Sequence, residues 1–239
     1  MSPSVARGGA TLASPDAVAA RVAALSQPHM AALQAYRETL LDRGPVPHFD
    51  PFDGGVDARI LLLLETPGPG ASPIRFTSLD NPSPTAANLR RFIAASGPDR
   101  RALVIWNIVP WILSVDRVKA PSASDMADGL KRMPALLALL PALGIVLLAG
   151  RRAASATAPI AAQQSRLPIL HMPHPSPTHI NTRPELAARF VARLSQAQAF
   201  LDPPPATPGS TSDEAGVMSE ARREGCTASA LTPKVSFPE

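Results

Sequence analysis

Four short apolar runs punctuate the chain: ARILLLLE (58–65), RALVIWNIVPW (101–111), GIVLLAG (144–150) and LPILHMPHP (167–175). The first is a short continuous run bounded by loops, the pattern of a strand buried on both faces; the second and third read as further buried strands, and the fourth as a strand running into a loop. Segments with apolar residues at helical spacing lie between and around them: 15–42, PTAANLRRFIAAS (84–96), SASDMADGLKRMPALLALL (122–140), RRAASATAPIAAQQ (151–164) and TRPELAARFVARLSQAQAFL (182–201). Asp16 after Ser14-Pro15 is a start signal for the first, and Pro184 sits near the start of the last. Strands alternating with helices predict an α/β fold, a three-layer α/β/α sandwich with a four-stranded, mostly parallel central sheet.

In such a sheet, ligands bind beyond the carboxyl ends of the strands. The unusual loops of this chain fall there: ETPGPG after the first strand, NIVPW after the second and HPSPTHIN after the fourth. Three polar loops are therefore expected to converge on one crevice. The expected domain spans 15–202. Residues 1–14 and the Pro/Ser/Thr/Glu-rich residues 203–239 lack apolar periodicity and are expected to be disordered. MPALLALLPALGIVLLAG (133–150) is apolar enough to resemble a membrane segment, but Pro134, Pro141 and Gly144 divide it. It reads as a helix end, a turn and a buried strand.

Composition narrows the chemistry. A formal net charge of +4 is compatible with an acidic partner such as nucleic acid without requiring one. The single cysteine, Cys226, excludes a disulfide framework, a Cys-ligated zinc site or an iron–sulfur cluster built within the chain. No charged segment followed by an apolar run opens the sequence, so no secretion signal is expected. Asp50 and Asp53 in FDPFDGG read as turn residues rather than metal ligands. GRRAA after the third strand lacks the glycine spacing of a phosphate cradle.

Glu65-Thr66-Pro67-Gly68, Asn107 closing the second strand, and His174-Pro175-Ser176-Pro177 stand in the order and wide spacing of the uracil-DNA glycosylase superfamily. The resemblance covers roughly residues 45–200. It is strongest to the group with a Glu-Ala-Pro-Gly first motif, whose members usually bind an iron–sulfur cluster through four cysteines that this chain lacks. The resemblance implies a DNA glycosylase of base excision repair that excises uracil or a related deaminated base. It also implies a cytoplasmic monomer with no membrane segment, no metal and no redox cofactor, acting on single- or double-stranded DNA. Such an enzyme takes the base out of the stack before cleaving it from the sugar.

The roles that follow are those the resemblance implies. The Asn107 carboxamide can accept from uracil N3–H and donate to O4; otherwise it satisfies loop backbone groups. Phe76 stacks on the extruded base or serves as core beneath the loop. His174 donates to the departing base, where negative charge collects on O2. Glu65 holds water or counters the cationic sugar, or only ties the loop together. Thr66 stands where many members carry an Asp that orients the attacking water, and Gly68, next to Pro67, stands where others carry a Tyr that blocks thymine. Ser176, Pro177, Thr178 and His179 are the expected DNA contacts. His171, inside a strand, reads as structural, and Arg90 and Arg91 as phosphate contacts or solvated surface. Two other readings remain: a non-catalytic binder of damaged or single-stranded DNA, and an enzyme acting on a free nucleoside.

Overall fold

The continuous apolar runs become the strands of one parallel sheet in a computed structural model that describes residues 11–70 and 72–202. In chain order the first elements are α1 (Pro15–Ala24), α2 (Ala31–Glu38), β1 (His48–Phe49), β2 (Ile60–Leu64), β3 (Phe76–Thr77), α3 (Pro84–Ser96) and β4 (Leu103–Asn107). They are followed by α4 (Ala123–Ala138), β5 (Ile145–Ala149), α5 (Thr157–Gln163), β6 (Ile169–Met172), the short α6 (Pro177–Ile180) and α7 (Pro184–Leu201). The main sheet has the order β4-β2-β5-β6, and every neighbouring pair is parallel. The expected α/β architecture is therefore the observed one. No helix among the described residues is long and apolar enough to cross a membrane.

Strand residues alternate between two cores. Leu61, Leu63, Val104, Trp106 and Leu148 pack with Leu33 of α2, Leu136 of α4 and Ile160 of α5. Ile60, Leu62, Ile105 and Leu147 pack with Phe92 of α3 and Phe190 of α7. β2, β4 and β5 are covered on both faces, which is why they read as unbroken apolar runs, whereas the edge strand β6 is only partly buried. Truncating one of these leucines to alanine costs about 2–5 kcal/mol.

Local signals set the boundaries. Ser83 caps α3 by accepting from the Ala86 N–H, and Gly97 closes that helix in the left-handed region at φ 92°. Ser122 and Asp125 form a reciprocal capping box on α4. The helix expected over 15–42 is broken. Pro28 forces Gln27 into extended geometry (φ −67°, ψ 146°), and a 3-10 turn over Pro28–Met30 leads into α2. The HPSPTHIN segment is not wholly loop, because Pro177 opens the helical turn α6. Of the N-terminal segment, residues 1–10 lie outside the described residues. Leu12 N–H already donates to the Asp80 carbonyl at 2.8 Å, so the fold takes hold of the chain ahead of Pro15. Residues 203–239 also lie outside the described residues.

The topology opens the crevice. After β2 the chain crosses through α3 on one face of the sheet, whereas after β5 it crosses through α5 on the other. β2 and β5 are neighbours, so the chains leaving them part in opposite directions and leave a gap between their carboxyl ends.

A second, two-residue ladder pairs β1 with β3, His48 opposite Phe76 and Phe49 opposite Thr77. Phe49 stacks on Trp106 with ring centroids 3.6 Å apart, joining this ladder to the main sheet. Behind it lies a buried ionic cluster. Arg21 pairs with Asp50 and Asp80, and Arg100 pairs with Asp50 at 2.7 Å, Asp53 at 2.7 Å and Asp80 at 2.6 Å. Asp50 also accepts from the Phe52 N–H at 2.9 Å, the expected turn role, and from the Ser78 hydroxyl. Removing one partner from such a cluster typically costs about 3–5 kcal/mol, because a charge is left buried and unpaired.

Three carboxylates face two guanidinium groups, and the surplus falls on Asp53. Burial and then the nearby Asp50 push its carboxyl up to about 8, against the pull of Arg100. An unfolded Asp ionises near 3.8, so between 3.8 and about 8 the native state keeps a proton that the unfolded chain has lost. Stability from this group is therefore full below 3.8 and lost as pH rises to about 8. Asp53→Asn removes that loss. The melting-temperature difference between variant and wild type, read at about pH 5 and about pH 9, shifts in favour of the variant at the higher pH. An equal difference at both would contradict the assignment.

Candidate active site

A cleft of about 700 Å³ opens at the carboxyl ends of the strands. All the expected site residues border it: Glu65, Thr66, Pro67 and Gly68 after β2, Phe76 in β3, Asn107 closing β4, and His174, Ser176, Pro177, Thr178 and His179 after β6. Loops separated by about a hundred residues thus meet as the sheet topology requires.

Asn107 is fixed at both ends. Its backbone pairs in register with Leu64, and the next amide, Ile108 N–H, donates to the Leu64 carbonyl at 2.9 Å. Its side-chain nitrogen donates to Thr77 Oγ1 at 3.3 Å, and no other hydrogen bond to this carboxamide occurs among the described residues. The carbonyl oxygen and the second N–H are therefore not committed to a protein group. Phe76 is buried in the wall, with its ring 5.5 Å from that of His48. Burial, with Arg37 nearby, pulls His48 down to about 4, so a neutral ring backs Phe76. The ionic cluster steadies the same wall through the Ser78 hydroxyl held by Asp50.

His174 is half-buried, and its Nδ1 accepts from the Ser176 backbone N–H at 3.2 Å. An amide can only donate, so a neutral His174 carries its proton on Nε2. Burial holds its pKa below the ordinary 6.5; Glu65 pulls upward and His179 downward. The two prolines and two further contacts make this loop stiff. Asn88 of α3 donates to the Pro175 carbonyl at 3.0 Å, and the Ser176 hydroxyl lies 3.0 Å from His179 Nδ1. Thr178 and His179 are exposed at the cleft.

Across the cleft, Glu65 is not free. Its carboxylate accepts from Arg152 Nη1 at 2.6 Å, and its carbonyl accepts from the Val109 N–H at 3.0 Å. Thr66 Oγ1 is buried and has no hydrogen-bond partner among the described residues. Arg75 staples the Pro/Gly loop by donating to the Gly68 carbonyl at 2.6 Å. A Cβ added at Gly68 would meet no atom within 4 Å, so packing does not demand glycine there.

Some expected residues stand elsewhere. His171 is exposed rather than core, since β6 is an edge strand, and its ring meets Thr157 Oγ1 at 3.2 Å. Neither Arg90 nor Arg91 borders the cleft: Arg90 donates to the Leu79 carbonyl, and Arg91 to Asn88 Oδ1 at 3.3 Å. Thr77, Asn88, Gly150, Arg151 and Arg152 were not singled out as site residues from sequence. The pair Arg151-Arg152 directly after a buried strand was the available signal. No group of three or more His, Cys, Asp or Glu among the described residues is placed to hold a metal. An iron–sulfur cluster does not fit, because the chain has one cysteine where four thiolates are needed.

Residues 51–196, more than half of the chain, match the family model described as the uracil DNA glycosylase superfamily. No curated protein matches the chain. Among solved structures it is similar to the crystal structure of wild-type SMUG2 from Pedobacter heparinus, with 15% identity over 61% of this chain and 76% of that chain, and a TM-score of 0.44.

Gly150 brings the turn after β5 against His174. It has φ +99°, and an added Cβ would lie 3.0 Å from His174 Cβ. Gly150→Ala therefore meets backbone strain and a crowded imidazole together, and should cost roughly 1 kcal/mol or more. The expected outcome is a lower melting temperature with a displaced His174 ring resonance in NMR spectra. An unmoved resonance would contradict the contact.

Proposed function

The chain belongs to the uracil DNA glycosylase superfamily, whose members hydrolyse N-glycosidic bonds, and from that premise we propose that it excises uracil or a closely related deaminated base from DNA in base excision repair. The observation that carries this reading is the convergence of Asn107, His174 and the Glu65-Thr66 loop on one cleft beside Phe76.

In this reading the target base leaves the stack and enters the cleft. Phe76 supports its face. The uncommitted Asn107 oxygen accepts from N3–H and its free N–H donates to O4, a pattern that cytosine cannot meet without leaving buried groups unpaired. As the bond to the sugar breaks, electrons flow into the base and charge gathers on O2. The Nε2–H of a neutral His174 donates to that oxygen, an interaction that strengthens only as the bond breaks. The Glu65 carboxylate faces the cationic sugar; water taken up at Thr66 adds to it, and the proton this releases ends on the departed base anion, which leaves as the neutral base. Ser176, Pro177, Thr178 and His179 meet the DNA backbone and the gap left by the base. Arg75 and Arg151 on the cleft supply positive charge for phosphates. The protein would act as a cytoplasmic monomer on single- or double-stranded DNA, without an iron–sulfur cluster.

A second reading, a binder that holds a damaged base without cleaving it, is favoured by one observation. Thr66 cannot take up a proton at ordinary pH, and the neighbouring Glu65 is tied to Arg152. Oligonucleotides carrying single uracil, hypoxanthine, xanthine or mismatched thymine separate the two readings. Under the enzyme reading abasic sites form. His174→Ala lowers kcat roughly 10²- to 10³-fold with little change in KM, and Asn107→Ala weakens the preference for uracil over cytosine. Binding without abasic sites would favour the second reading, and unchanged activity in both variants would refute the assigned roles. A shallow salt dependence of binding would point away from DNA and towards a small-molecule substrate.

A further inference from the structure

The turn after β5 touches both halves of the site. β5 lies between β2, which leads to Glu65, and its other neighbour β6, which leads to His174. Gly150 N–H donates to the Met172 carbonyl at 2.9 Å, and its missing side chain admits the His174 ring. Two residues on, Arg152 reaches the other way to Glu65 at 2.6 Å. The turn is rigid: the Arg152 carbonyl accepts from the Ser155 hydroxyl at 2.7 Å, and the Gly150 carbonyl from the Ala154 N–H at 3.1 Å.

We propose that Arg152 is a positioning residue, which from the turn after β5 holds the Glu65 carboxylate in an ion pair and so sets the charge that the imidazole of His174 meets. The charged and titratable groups that share the cleft with that imidazole among the described residues are Glu65 from the loop after β2, Arg75 just before β3, His179 from α6, and Arg151 and Arg152 from the turn after β5. From α3 the loop receives only the neutral Asn88. With Arg152 in place, the carboxylate is compensated. Without it, an uncompensated negative charge faces His174 and favours the imidazolium. Protonation puts a hydrogen on Nδ1, where it confronts the Ser176 N–H. Two donors then face each other, and the hydrogen bond that orients the ring is lost.

The pair is ill-placed to serve stability alone. The side chains of Arg152 and Glu65 are 39% and 26% exposed, and ion pairs that open to water contribute little. Arg152→Ala should therefore melt close to wild type while His174 changes its titration, a separation that a merely structural arginine would not produce.

The consequence for catalysis rests on the glycosylase reading; the charge relation does not. The test is NMR titration of the His174 ring in wild type, Arg152→Ala, Arg152→Lys and the double variant Arg152→Ala/Glu65→Gln, alongside the pH profile of uracil excision. The expected result is a His174 midpoint that rises in Arg152→Ala and returns towards wild type in both the Lys variant and the double variant. Excision by Arg152→Ala falls roughly tenfold or more near neutral pH, and its acid limb moves up with the midpoint. A midpoint unmoved by Arg152→Ala, or a shift that Glu65→Gln fails to reverse, would overturn the proposal. Absence of excision by wild type on every base overturns the glycosylase reading instead, while the titration still decides the role of Arg152.

Discussion

Two neighbouring parallel strands send their following chains to opposite faces of the sheet, and the site depends on the gap this leaves. β2 continues towards α3 and β5 towards α5, so the backbone cannot close over the carboxyl ends between them. Apolar burial on both faces fixes the strands that frame the gap. Ladder pairing then fixes the depth of what lines it, since Asn107 sits directly opposite Leu64, the residue before Glu65. A slip of one residue would turn Asn107 into the opposite layer.

The remaining wall is held by polar rather than apolar means. β1 and β3 are two residues each, too short to be stable as an isolated ladder. Arg21, Asp50, Asp80 and Arg100 tie the segments that follow them, through contacts 20 to 59 residues apart in sequence. Such a cluster is a poor source of net stability, because desolvating the charges offsets most of their attraction. Its consequence is geometric: Ser78 is held by Asp50, Thr77 precedes it, and Thr77 receives the Asn107 amide. The excess of carboxylate over cation falls on Asp53, away from the cleft, where burial and the neighbouring Asp50 push its carboxyl up.

The sheet was legible in the sequence because burial on both faces leaves unbroken apolar runs, and the site loops because Pro, Gly and His cluster where those runs end. The convergence of Glu65, Asn107 and His174 follows from the α/β alternation together with the family resemblance. What was not legible depends on distance in the chain. Asp50 and Asp53 read locally as turn residues, and nothing nearby announces Arg21 or Arg100 as their partners. The β1–β3 ladder is too short to leave a period. The break at Pro28 was overridden by helical spacing on either side of it, and α6 hides in a segment whose prolines read as loop. Arg152 was visible as a letter, but its pairing with Glu65, 87 residues away, needs the strand order.

In the proposed reading this cleft cleaves the bond between base and sugar. The most direct measurement is mass spectrometry of the products after incubating the full chain with an oligonucleotide that carries one uracil. The expected result is free uracil together with a strand bearing a single abasic site at that position, and an intact control strand with thymine in its place. An intact uracil strand recovered from a stable complex with the protein would contradict it.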